Sequence, residues 1–201
     1  MIAIIDYDAG NIKSVEKAIL SLGEQAVITR DRDEILAADK VILPGVGAFG
    51  DAMKKIRNYG LEEVIHEVVN KGTPFLGICL GLQLLFECSE ECVGVKGLGL
   101  LKGKITKIPD YQGLKVPQIG WNSLKFPNKG RLFAGLEEDS YVYFVHSYYL
   151  QAEEPEIVVA TTEYATLIHA AVEKDNVFAC QFHPEKSSEV GLKIIENFIA
   201  L

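Results

Sequence analysis

Short runs of consecutive apolar residues alternate with longer segments in which apolar residues recur every three or four positions. Continuous runs are typical of strands buried on both faces, and the spaced pattern is typical of helices with one buried face. The runs predict strands at 2–5, 26–29, 41–43 and 75–78, and the spaced segments predict helices at 11–22, 51–57, 61–70 and 80–86. This alternation indicates an α/β fold in which helices cover both faces of a central, mostly parallel sheet.

The pattern changes after Gly94, where strand-like segments follow one another with turn residues between them. These segments are 97–101, 105–108, 141–145 and 157–160, and residues 190–201 are predicted to form a closing helix. Consecutive strands without intervening helices favour a smaller antiparallel sheet beside the parallel one. A length of 201 residues suits one domain, so we expect 1–201 to form a single unit.

Three segments are expected to meet at one rim of the parallel sheet. Residues 6–10, residues 44–47 and Cys79 each follow directly after a predicted strand. In such sheets, binding sites form beyond the carboxyl ends of the strands. We therefore expect the functional site at this rim.

Cys79 lies in the sequence GICLG at 77–81, where a predicted strand meets a predicted helix. This is the thiol counterpart of the G-x-S-x-G turn, in which flanking glycines permit a sharp bend. A cysteine at a helix N-terminus is favoured as a thiolate, and the backbone N–H of Leu80 is expected to be free to bind an oxyanion. A buried structural cysteine is the alternative for this motif taken alone.

His183 and Glu185 follow a predicted strand at 177–180 and can complete a catalytic triad with Cys79. Residues two apart in an extended segment point to the same side. A nucleophilic thiol needs a base, and the base needs an acceptor that fixes its tautomer. Although a lone His-x-Glu is more often a surface pair, its combination with the cysteine favours catalysis.

Other residues near the rim have a structural and a functional interpretation. The sequence PGVG at 44–47 is either a tight turn or a second oxyanion donor whose peptide can flip. Asn11 stands at a predicted helix start, where an N-cap is expected. Gln83, one helical turn after Cys79, either contacts a substrate amide or is a helix-surface residue. The only tryptophan, Trp121, is expected in the core or in an interface.

Composition and charge argue against several classes of partner. The formal net charge is −8 and no lysine or arginine stripe stands out, which disfavours nucleic acid and anionic membranes. No apolar run approaches a membrane span and no signal-peptide pattern is present, so we expect a cytoplasmic protein with free cysteines. Cys88 and Cys92 lack a second pair of ligands, so no metal is expected.

These segments together resemble the class I glutamine amidotransferases, and the similarity runs essentially from end to end. GICLGLQ at 77–83 is similar to the family's cysteine elbow, and HPE at 183–185 to its histidine–glutamate pair. Within the family, four motifs resemble the glutaminase subunits of imidazole glycerol phosphate synthases, which act in histidine biosynthesis. These motifs are DYDAGNI at 6–12, PGVGAFG at 44–50, PQIGWN at 117–122 and HPEKS at 183–187.

The resemblance implies that the chain hydrolyses L-glutamine through a thioester. It further implies transfer of the ammonia to a separate cyclase subunit of the (β/α)8-barrel type, in a heterodimer without a cofactor. An oxyanion hole is implied at Leu80 together with Val46 or Gly47. The remaining implied site residues are Gln83, Glu91 and Ser147 for glutamine binding, and Asn11, Trp121 and Lys186 for contact with the cyclase.

Three other functions stay open from the residues. The glutaminase can instead serve another synthase, such as anthranilate or pyridoxal phosphate synthase. A cysteine peptidase or hydrolase would turn over peptides without a partner, and a non-enzymatic module would carry an unreactive Cys79. We expect weak glutaminase activity in the free chain, because the glycines at 44–47 allow the second oxyanion donor to rest turned away.

Overall fold

The computed structural model describes residues 1–201 as twelve strands, six α-helices and three short 3-10 segments. The strands are β1 (Ile2–Ile5), β2 (Ala26–Thr29), β3 (Lys40–Leu43), β4 (Phe75–Ile78), β5 (Cys88–Ser89), β6 (Gly103–Lys107), β7 (Gln118–Ser123), β8 (Tyr141–His146), β9 (Tyr148–Ala152), β10 (Val158–Tyr164), β11 (Thr166–Lys174) and β12 (Val177–Cys180). The helices are α1 (Ile12–Ser21), α2 (Arg32–Ala37), α3 (Phe49–Asn58), α4 (Leu61–Asn70), α5 (Leu80–Leu84) and α6 (Ser188–Ile199). The 3-10 segments are Arg131–Phe133, Pro155–Ile157 and Pro184–Lys186. No helix is both long enough and apolar enough to cross a membrane.

Ten strands form one sheet in the order β2-β1-β3-β4-β12-β11-β9-β6-β5, with β10 paired to β11. The first five strands in this order, β2, β1, β3, β4 and β12, run parallel to one another. Strands β11, β9 and β6 then extend the sheet in antiparallel pairs. Strands β7 and β8 form a separate antiparallel pair. The predicted α/β class with an additional small antiparallel sheet is confirmed. Most of the antiparallel strands nevertheless extend the central sheet.

The parallel strands bury both faces, as their continuous apolar sequences require. In β1, Ile2 and Ile4 pack into a layer that contains α1 and α6. Ala3 and Ile5 pack into the opposite layer, which contains α2, α3 and α4. Because successive side chains of a strand point to opposite faces, each strand contributes to both layers and is held in a fixed register.

Some predicted elements differ from the observed ones. The apolar segment 97–101 is not a strand; it is a buried loop whose Leu98 and Leu100 N–H groups donate to the carbonyls of Leu84 and Leu85. A short apolar run does not distinguish a strand from a buried loop, because the partners of its backbone groups decide. Helix α5 ends at Leu84, and Ile157 belongs to a 3-10 segment rather than to β10.

Candidate active site

Cys79 occupies a sharp turn between β4 and α5. Its φ of 55° and ψ of −108° are unusual for a residue with a side chain. The turn is held by its N–H, which donates to the carbonyl of Cys180 at 2.8 Å. The flanking glycines are required by close backbone approach, since a Cβ on Gly81 would lie 1.9 Å from the carbonyl oxygen of Leu43. A Cβ on Gly77 would lie 2.8 Å from the carbonyl oxygen of Gly81.

His183 reaches the same rim because β12 pairs in parallel with β4, with Cys180 beside Ile78. Its Nδ1 lies 2.8 Å from Glu185 Oε1, and both side chains are almost completely buried. The expected contact of His183 with Glu185 is present, although Pro184–Lys186 forms a 3-10 turn rather than an extended segment. Proline at the first position favours such a turn, because its φ is already helical.

The electrostatics of His183 suit an imidazolium beside a thiolate. Burial lowers its pKa, but Cys79 and Glu185 outweigh burial and raise the pKa to about 9. Glu185 Oε1 also accepts a hydrogen bond from Asn11 Nδ2 at 2.6 Å, whereas its Oε2 is buried without a partner. Asn11 is the N-cap residue of α1 by position, as expected, but its side chain makes no capping hydrogen bond and bonds to Glu185 instead.

The segment 44–47 lies directly against the turn at Cys79. The carbonyl of Gly45 accepts the N–H of Leu80 at 3.3 Å, so the expectation of a free Leu80 N–H is wrong for this conformation. The C=O and N–H of a trans peptide point in opposite directions, and the N–H of Val46 is therefore directed away from Leu80. Tyr7 holds the preceding residue, because its hydroxyl donates to the carbonyl of Pro44 at 2.8 Å.

A cavity of about 320 Å³ opens beside the thiol. Most of the predicted site residues line it: Val46, Gly47, Cys79, Leu80, Gln83, Glu91, Ser147, His183 and Lys186. Glu91 is held there because its Oε2 accepts the N–H of Phe49, the first residue of α3, at 2.8 Å. Two predicted interface residues lie outside the cavity: Asn11 is behind Glu185, and Trp121 is 52 % exposed on β7.

Sequence reasoning missed three residues that approach the nucleophile or its cavity. Tyr7 is buried beneath residues 44–47, and burial raises its pKa with a further contribution from Cys79. His146 lines the cavity, and burial lowers its pKa to about 4. Gln181 is completely buried, with Nε2 3.8 Å from Cys79 Sγ. A usable signal for Gln181 was its position two residues before His183.

The fold and these contacts define a class of enzyme, and comparison with known proteins identifies the family. The model of the family glutamine amidotransferase class-I matches residues 3–201, and the chain belongs to this family. The imidazole glycerol phosphate synthase subunit HisH of Methanocaldococcus jannaschii is 51% identical over 201 residues, covering 100% of both chains. The subunit HisH of Aquifex aeolicus is 48% identical over 196 residues, covering 97% of this chain and 94% of that protein. A crystal structure of a glutamine amidotransferase shares the fold, with a TM-score of 0.76 and 20% identity over 98% of this chain and 99% of that one.

Proposed function

We propose that the chain is the glutaminase subunit of an imidazole glycerol phosphate synthase and acts in histidine biosynthesis. Cys79, His183 and Glu185 would form its catalytic triad. The main support is the meeting of a strained, glycine-flanked thiol with a buried histidine–carboxylate pair at the wall of one cavity. The full-length similarity to proteins named subunit HisH supports the choice of synthase.

The proposed reaction begins with attack of the Cys79 thiolate on the side-chain carbonyl carbon of L-glutamine. The carbonyl electrons move to oxygen, and on collapse the C–N bond breaks while His183 donates a proton to the departing ammonia. A γ-glutamyl thioester remains on Cys79. Water then attacks it, His183 takes up a proton, and glutamate leaves with the thiolate restored. Glu185 orients the imidazole and stabilises its charged form throughout.

The cavity wall suggests how glutamine is held. The carboxylate of Glu91 complements the substrate's α-ammonium group, and the helix start at Phe49 fixes that carboxylate in place. Gln83 and Ser147 offer polar groups on the same wall. The N–H of Leu80, with that of Val46 or Gly47, would bind the oxyanion.

The free chain is proposed to rest in a weakly active state. The N–H of Leu80 is hydrogen-bonded to the carbonyl of Gly45, and the N–H of Val46 is directed away, so neither donor is available to an oxyanion. One missing donor typically costs about 10²–10³ in rate. Rotation of the Gly45–Val46 peptide would free Leu80 and turn the N–H of Val46 around in a single step. A partner can drive this rotation only if it binds the rotated form more tightly.

The relatives are named as subunits, and a partner subunit is part of this proposal. We propose a cyclase of the (β/α)8-barrel type that binds across Asn11, Trp121 and Lys186 and receives ammonia. Exposed Ile119 and Trp121 on β7 support an apolar contact on this side. We further propose a cytoplasmic location, where a reducing environment keeps a nucleophilic thiol free.

A glutamine-analogue electrophile tests the triad directly. We expect it to label Cys79 and to stop glutamine hydrolysis, and Cys79→Ala should abolish both labelling and hydrolysis while the protein stays folded. Cys88→Ala is the matched control, because Cys88 is exposed and lies outside the cavity. Labelling of Cys88 or Cys92 instead, or full hydrolysis by Cys79→Ala, would contradict the proposal. Turnover of peptides rather than glutamine would favour a peptidase.

A further inference from the structure

A series of hydrogen-bonded side-chain amides lies behind Cys79, and apart from the cavity-lining Gln83 it has no role in the mechanism above. Gln181 is completely buried, and its Nε2 donates to Cys79 Sγ at 3.8 Å. Its Oε1 accepts from Gln83 Nε2 at 3.0 Å. Gln83 Nε2 also donates to the backbone carbonyl of Tyr148 at 3.1 Å. These hydrogen bonds therefore link the cavity, which Gln83 lines, to the sulfur of Cys79.

The backbone carbonyl of Tyr148 can only accept a hydrogen bond, and this fixes the orientation of each amide in the series. A backbone carbonyl has no proton to donate, so Gln83 must present its NH2 to Tyr148. The same NH2 faces Gln181, so the side-chain carbonyl oxygen of Gln181 must be the atom that accepts its second hydrogen bond. The NH2 of Gln181 is then left facing Cys79. The donor at the sulfur is thus determined by the network and not by a choice between two similar atoms.

His146 reinforces this arrangement from the other side of the Tyr148 carbonyl. Its Nδ1 lies 2.8 Å from that carbonyl, and burial lowers the pKa of His146 to about 4, so the ring is neutral at physiological pH. The Nδ1 therefore carries the proton and donates it. Nε2 lies 2.8 Å from Gln118 Oε1, and a neutral ring cannot donate from both nitrogens. The side-chain amide of Gln118 must therefore be turned over, so that its NH2 donates to Nε2. Two donors hold the Tyr148 carbonyl to which Gln83 is anchored.

Two neutral groups act on the Cys79 sulfur in opposite directions. The backbone carbonyl of Val145 lies 3.9 Å from Sγ and can only accept, so it favours the protonated thiol. The N–H of Gln181 can only donate, so it favours the thiolate. A buried anion is costly unless donors compensate for lost water. Gln181 supplies one such donor without adding a second cation beside His183.

We propose that Gln181 is a positioning residue that stabilises and orients the Cys79 thiolate, and that Gln83 determines which atom of Gln181 faces the sulfur. The inference rests on the proposed function only in taking Cys79 as the nucleophile. Gln83 would then have two tasks, one toward glutamine in the cavity and one toward the thiolate behind it.

The test measures alkylation of Cys79 by iodoacetamide against pH in the full chain, read for each cysteine peptide by mass spectrometry. Iodoacetamide needs no glutamine site, so the result is independent of glutamine turnover. Gln181→Met should raise the midpoint for Cys79 by about one pH unit, because a hydrogen bond to the charged form is lost. The exposed Cys88 in the same sample should keep its midpoint.

Gln118→Met is the matched control, since it makes the same replacement at the far end of the network, against His146 instead of Cys79. It should shift the midpoint for Cys79 by less than Gln83→Met does, because it acts on the sulfur only through His146 and the Tyr148 carbonyl. The titratable side chains around Cys79 and its cavity stay the same in every variant: Tyr7, Glu91, His146, Tyr148, Cys180, His183, Glu185 and Lys186.

Gln83→Met provides a second test that does not require Gln181 to be changed. It should raise the midpoint by less than Gln181→Met does, and the double variant should match Gln181→Met alone, because Gln83 acts through Gln181. An unchanged midpoint in either single variant overturns the inference, as does an equal shift in Gln118→Met or an additive double variant. If Cys79→Ala abolishes glutamine hydrolysis while the alkylation midpoints stay fixed, the proposed function stands and this inference fails.

Discussion

At the scale of single residues, His183 combines three influences on one proton. Burial disfavours its charged form, whereas the neighbouring Cys79 and the carboxylate of Glu185 favour it, and the result is a pKa of about 9. A histidine in this state holds a proton at neutral pH and can give it to ammonia as it leaves. Asn11 adds a second donor to Glu185, which holds the carboxylate in place for the histidine.

This balance predicts a high-pH limit for the glutaminase. As pH rises through about 9, His183 loses the proton that ammonia needs, and kcat/KM should fall. Glu185→Gln removes a negative charge that raises the pKa of His183, so the falling limb should move to lower pH. The measurement is kcat/KM for glutamine against pH in the assembled synthase. If kcat/KM falls at the same pH in Glu185→Gln, Glu185 does not raise the pKa of His183.

At the scale of elements, the turn between β4 and α5 depends on how closely β3 approaches it. Gly81 lies so near the end of β3 that a methyl group in its place would meet the carbonyl oxygen of Leu43 at 1.9 Å. Backbone atoms cannot move aside as a flexible side chain can. The same close packing brings residues 44–47, which follow β3, against Leu80.

Gly81→Ala should therefore displace the turn from β3. We expect a loss of about 3 kcal/mol in the free energy of unfolding, the upper part of the usual range for overpacking, together with loss of Cys79 labelling by the glutamine analogue. Gly23→Ala is a suitable control: Gly23 has a φ of +85° and no atom near its Cβ position, so only backbone strain of about 1 kcal/mol is expected. Urea unfolding gives both free energies. Equal effects in the two variants would show that the approach to β3 does not matter.

At the scale of the whole molecule, the parallel half and the antiparallel half contribute different parts of the site. Cys79 and residues 44–47 directly follow parallel strands, and Leu80 begins the helix after Cys79. The wall at Ser147 comes from the junction of β8 and β9, and β7 carries the exposed Trp121 nearby. The β7–β9 region thus contributes both to the cavity beside Cys79 and to the proposed cyclase contact.

If ammonia passes from this subunit to a cyclase, hydrolysis and synthesis should be separable in the complex. Cys79→Ala assembled with the cyclase should lose synthesis from glutamine and keep synthesis from added ammonium salts, because only the source of ammonia is removed. The two rates of product formation are compared with those of the unaltered complex. Loss of both activities to the same extent would mean that Cys79 serves assembly or the chemistry of the partner.

The sequence by itself determined the alternation of parallel strands and helices, the turn at Cys79 and the pairing of His183 with Glu185. These depend on local properties, namely continuous apolar runs, flanking glycines and a spacing of two residues. Local signals predicted β4 with its observed bounds but failed at 97–101, where the hydrogen-bond partners of a buried backbone decide between strand and loop.

Only the tertiary structure decided that the carbonyl of Gly45 accepts the N–H of Leu80, that Asn11 binds Glu185, and that Gln181 donates to Cys79. Asn11 and Glu185 are 174 positions apart in the chain, and Gln181 and Cys79 are 102 apart. Contacts between such distant residues depend on which strands become neighbours in the sheet. They also depend on burial, which obliges each enclosed polar group to find a partner, and neither condition is written in a local pattern.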